Sequence, residues 1–122
     1  MKSQLIQEQL EIKHNINSYK TKEIVINNKT IDYSIILTET SPIQSWDVTN
    51  ISQITINHLQ QIAKNNQNHI IIIGTGQHYQ YLDLKLIAES KLNIEIMSTK
   101  SACHTYTILA QEQRLVVAAL IL

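Results

Sequence analysis

From Glu23 onward the chain alternates short apolar runs with polar punctuation, and the runs sort into two periods. The segments Glu23-Ile24-Val25-Ile26 and KTIDYSIIL (Lys29 to Leu37) read as two strands of a hairpin. Between them lie Asn27 and Asn28, and asparagine tolerates the left-handed backbone that a two-residue hairpin turn demands. The polar stretch TETSPIQSWDVTN reads as a long connection pinned by burial of its tryptophan, Trp46. In ISQITINHLQQIAKNNQNH, Ile56, Leu59, Ile62 and Ala63 recur at helical spacing, with Thr55 or Asn57 as the N-cap.

The run HIIII that follows is β-branched without polar alternation, the pattern of a strand covered on both faces. A helix from about Leu82 to Ser90 and a strand NIEIM complete a βαβ unit around Gly74-Thr75-Gly76. SACHTYTILAQ predicts a short helix with Tyr106, Leu109 and Ala110 inward, and RLVVAALIL a last buried strand. The expected product is a single α/β domain over residues 16–122, with a mixed sheet and an N-terminal β-hairpin. Residues 1–15 are expected to be poorly ordered or loosely packed, as undocked termini are.

Composition narrows the functions available. A chain of 122 residues buries roughly 65% of its unfolded surface on folding, so it builds a core without staples. Ten basic and ten acidic side chains cancel, which removes the positive footprint that nucleic-acid phosphates require. One cysteine, Cys103, excludes an intrachain disulfide and any cysteine-based zinc cage from this chain alone. The start, MKSQLIQEQLEIK, lacks the apolar run of a secretory signal. The longest apolar run, Leu115 to Leu122, falls short of the ~20 residues that span a bilayer. A cytoplasmic location is expected, with no membrane span and no cofactor.

The two glycines, Gly74 and Gly76, match the first two positions of a dinucleotide fingerprint, but Tyr79 stands at the third. No Gly-Lys-Ser/Thr follows, so the phosphate loop of nucleotide hydrolases is absent as well. Two readings stay open: backbone amides at a strand end that hold an anion, or a glycine pair easing a tight turn. Cys103 sits beside His104, yet neighbours on a helix point about 100° apart. A reactive thiol needs another base, and His78 in the glycine loop is the one to check. His14, His58, His69, His78 and His104 show no metal-binding spacing, and Asp32, Asp47 and Asp83 are scattered. Tyr79 and Tyr81 beside the glycine loop, and Trp46, are the aromatic residues best placed to meet a partner.

Gly74-Thr75-Gly76, then Glu95, Met97 and Thr99, then Ala102, Thr105 and Tyr106, then Glu112 and Arg114 follow one another in a fixed order. This order resembles a family of small α/β domains of unknown function from bacteria and archaea. The family includes the mitochondrial respiratory complex I assembly factor three. The resemblance runs from about Ile16 to Leu122, with Thr107 where the family usually has asparagine and Gln113 where it has glycine. It implies a three-layer domain with a groove near the Gly-Thr-Gly turn and the Thr-Tyr helix start. It carries no established reaction, and its mitochondrial members act by protein association.

Two functions are therefore carried forward. The first is a protein-interaction or assembly-factor-like module, its partner and oligomeric state unspecified, acting through Trp46, Tyr79 and Tyr81. The second is a binder or enzyme for a small anion held by Gly74, Thr75 and Gly76, with Thr99, Thr105 and Arg114 as polar neighbours.

Overall fold

The computed structural model describes residues 14–122. Most of the N-terminal segment expected to be loosely packed thus lies outside the described residues. Its last two members are tied down: His14 Nε2 lies 2.8 Å from the Ser41 carbonyl, and the Asn15 amide donates to Asn27 Oδ1 at 2.8 Å.

The first sheet is antiparallel and three-stranded, formed by β1 (Ile16–Lys20), β2 (Glu23–Ile26) and β3 (Lys29–Ile31). Asn27 and Asn28 join β2 to β3 with φ of 51° and 66°, the left-handed pair of a type I′ turn. KTIDYSIIL is one strand in the pattern but two in the structure. Asp32 and Tyr33 are exposed in succession, which breaks the two-residue alternation, and the chain crosses to the second sheet as β4 (Ile35–Thr38).

That second sheet is mixed and orders its strands β5-β4-β8-β6-β7, with β5 Gln44–Ser45, β6 Ile70–Gly74, β7 Ile94–Met97 and β8 Val116–Leu120. β6 runs parallel to both β7 and β8, while β4 is antiparallel to β8 and β5. The central strand β8 shows why its sequence is apolar throughout. Val116, Ala118 and Leu120 enter one core, whereas Val117, Ala119 and the following Ile121 enter the other.

On the first side lie the three-stranded sheet and the helix α3 (Thr99–Gln111); Ile24, Ile26, Ala102, Cys103 and Tyr106 close the core. On the second lie α1 (Ile56–Asn65) and α2 (Leu84–Ser90), with Trp46, Leu59, Ile62 and Leu82 against the sheet. The molecule is the expected three-layer α/β fold. α1 starts at Thr55, whose side chain accepts the His58 amide while the His58 ring accepts the Thr55 amide. This is a reciprocal cap with histidine in the role usually held by glutamate. α3 ends where Gln113 adopts φ of 63° and the Arg114 amide reaches back to the Leu109 carbonyl at 3.0 Å. Gln113 thus takes the left-handed conformation that glycine adopts freely.

Candidate functional site

The Gly-Thr-Gly turn is a clasp between three segments. The Thr75 amide donates to the Met97 carbonyl at 2.8 Å and the Thr99 amide to the Gly76 carbonyl at 2.9 Å. Thr99, fully buried, donates its hydroxyl to the Ile121 carbonyl at 2.6 Å and accepts the Gly76 amide at 2.8 Å. Thr75 donates its own hydroxyl to the His78 carbonyl and accepts the Gln80 amide. Close approach dictates glycine at 74: a Cβ there would stand 2.8 Å from Thr99 Oγ1 and 2.9 Å from Thr99 Cα. At Gly76 the reason is conformational, a φ of 105°.

This geometry corrects the anion reading. The Thr75 and Gly76 amides are bonded inside the protein, and no incoming anion meets them without breaking the clasp. The expected polar neighbours do not converge either. Thr99 serves the clasp, Thr105 lies half-buried on α3 facing β1, and Arg114 is exposed beyond the far end of α3. A helix of 13 residues is about 20 Å long, so Arg114 and the turn stand at opposite ends of the domain.

Cys103 lines a groove of about 570 Å³ between β1 and α3 together with Tyr19, Thr105 and Thr107. Burial pushes its thiol up to about 12, which keeps it protonated and unreactive at neutral pH. His78, the base it would need, sits in the exposed loop after the turn and does not line this groove. Tyr106, buried beneath, donates to Glu39; burial first, then this carboxylate, raises its phenol well above the ordinary range. Among the described residues no group of three or more His, Cys, Asp or Glu side chains is placed to hold a metal.

The three aromatic residues separate into two roles. Trp46 is buried, 7% exposed, and meets the His58 ring edge-on at 6.1 Å. His58 in turn bonds Asp47 at 3.0 Å. Because His58 Nδ1 accepts the Thr55 amide, the neutral ring carries its proton on Nε2 and donates to Asp47. Tyr79 and Tyr81 are the reverse case, 53% and 82% exposed, with their rings in T-shaped contact at 5.3 Å. Leu84, unmarked in the sequence pattern, is 77% exposed and opens α2 directly after them. Three of the six exposed large apolar side chains among the described residues thus fall within positions 79–84. Asp83 between them caps α2 by accepting the Lys85 amide.

The architecture defines a class: a small three-layer α/β domain whose strand-end turn is sealed and whose apolar residues surface on the loop beyond it. Residues 16–121 match the model of a family described as protein of unknown function (DUF498/DUF598), and the chain belongs to that family.

One relative is the NADH dehydrogenase [ubiquinone] 1 alpha subcomplex assembly factor 3 of Danio rerio, 29% identical over 110 residues, covering 87% of this chain and 63% of that protein. The chain therefore spans somewhat under two thirds of the length of that relative. A 13 kDa major membrane protein of Francisella tularensis is 29% identical over 100 residues, covering 79% of this chain and 80% of the relative. The crystal structure of a Bordetella parapertussis protein superposes with a TM-score of 0.79 at 29% identity, covering 88% of this chain and 94% of that one. In this chain no helix among the described residues is long and apolar enough to cross a membrane.

Proposed function

We propose that this protein is an assembly-factor-like interaction module that binds a protein partner through the loop between β6 and α2. The observation that carries this reading is the exposure of Tyr79, Tyr81 and Leu84 on six consecutive positions. Clustered exposed apolar side chains mark interaction surfaces, whereas single ones are ordinary. Aromatic residues suit the role because they offer large contact area with few rotatable bonds. The mutual T-shaped contact of the two rings restricts them further, which lowers the ordering cost of association.

The clasp contributes by folding the first part of this loop onto Thr75, which bonds the His78 carbonyl and the Gln80 amide. Trp46 serves the reading as an anchor of the α1 layer and not as a contact residue. The Danio rerio relative is named as an NADH dehydrogenase [ubiquinone] 1 alpha subcomplex assembly factor, which supports association as the mode of action; the client of this chain is a separate matter. A cytoplasmic setting accords with an unpaired, buried Cys103.

The test is affinity capture with the intact chain and with Tyr79→Ser/Tyr81→Ser. The double variant is expected to keep its fold, since exposed substitutions change stability by about 0.5 kcal/mol or less, and to lose a partner that the intact chain retains. An unchanged set of bound proteins would remove this loop from the interface.

A further inference from the structure

On the opposite flank of the α1 layer, a cavity of about 320 Å³ opens between α1 and the β4–β5 edge. Its size lies at the low end of small-molecule sites, which run from ~300 to 1,000 Å³. The walls carry the carboxamides of Gln44, Asn57, Gln61, Asn65 and Asn66, and Trp46 borders the space.

Two of these side chains are more than nine-tenths buried and yet have an unmet polar atom. Among the described residues none accepts the Trp46 indole N–H; the ring packs in the second core and meets His58 edge-on. Asn66, 8% exposed, donates through Nδ2 to the Ile62 carbonyl at 2.9 Å, and its Oδ1 has no donor among the described residues. Among the described residues the buried side-chain polar atoms without a partner are His14 Nδ1, Tyr19 OH and His69 Nε2, so the Trp46 and Asn66 atoms are open to solvent. Both residues line this cavity, and Asn66 also lines a neighbouring one of about 40 Å³. A donor and an acceptor that no described protein group pairs are free to pair with water or with a ligand that displaces it.

We infer that this cavity binds a small neutral polyhydroxylated molecule, in chemical class a monosaccharide. A hydroxyl group both accepts and donates, so it complements an indole N–H and a carboxamide oxygen at once. The exposed Gln44, Asn57, Gln61 and Asn65 extend the same dual capacity around the rim. Charge is unsuited to the site: the lining has no Lys, Arg, Asp or Glu, and the one ring that can protonate, His58, is paired with Asp47. A peptide strand is also poorly served, because β5 offers only two residues of edge and strand addition draws its affinity from a run of backbone bonds.

The chain has one tryptophan, so a ¹H–¹⁵N spectrum holds one indole resonance and reads this site alone. Glucose, galactose, ribose and N-acetylglucosamine are titrated in turn, with N-acetylglycinamide as the peptide-like probe. The expected result is a saturable shift of the indole resonance with at least one sugar, weakened about tenfold in Asn57→Ala/Gln61→Ala, whose exposed positions leave the fold intact. No saturable shift with any sugar, a shift unaltered in that variant, or a shift with N-acetylglycinamide alone would each overturn the assignment. The result is independent of the Tyr79–Tyr81 surface.

Discussion

Thr99 joins the start of α3, the turn after β6 and the end of the chain through a single hydroxyl. Replacing it with valine keeps the shape and strands the Gly76 amide and the Ile121 carbonyl. Buried groups left unpaired cost roughly 1–3 kcal/mol each, so Thr99→Val is expected to lower the urea midpoint strongly while Thr99→Ser recovers most of the loss. Gly74→Ala presses a methyl into backbone at 2.9 Å, an overpacking that costs roughly 1–3 kcal/mol; the same denaturation curve measures it. Cys103, with its thiol held near 12 from an ordinary 9.0, is expected to resist iodoacetamide at pH 8 in the native state and to label fully in urea. Burial also raises Tyr19 and Tyr106. All three groups have native values above their unfolded ones, so the unfolded chain releases these protons first. The Cys103 contribution to stability is complete below its unfolded value of 9.0 and declines from there through about 12, and the two raised tyrosines add to the decline above their ordinary value of 10.0, which thermal melts between pH 8 and 11 test.

At the scale of elements, legibility followed how local the physical cause was. The spacing of Leu59 and Ile62 marks α1, and the Asn27-Asn28 pair marks the hairpin, because each records a local backbone preference. β1 was not marked, since its residues INSYK are mostly polar and it is a strand only by pairing with β2. The division of KTIDYSIIL depended on long-range contacts: the Ser34 carbonyl accepts the Trp46 amide and its hydroxyl accepts the Leu122 amide. Gln113 is held at a φ of 63° at the end of α3. Gln113→Gly is accordingly expected to stabilise the protein by roughly 1 kcal/mol, because a left-handed backbone strains any residue with a Cβ; a rise in melting temperature measures it.

For the whole molecule, the mixed sheet and its two covered faces were legible because HIIII and RLVVAALIL leave no polar side for water. The site was legible only in part. Tyr79 and Tyr81 stood out beside the glycines, but Leu82, Leu84 and Leu86 alternate, and only the packing of α2 shows that Leu82 is buried and Leu84 exposed. The glycine turn misled in the other direction, since sequence places amides at a strand end without saying what they already bond. Photo-crosslinking tests the central claim most directly. A benzophenone amino acid is placed at position 81, and a control at exposed Leu115, which precedes β8 at the other end of the sheet. The account predicts a discrete crosslinked partner from position 81 and none from 115. The same adduct from both, or an adduct from 115 alone, would contradict it.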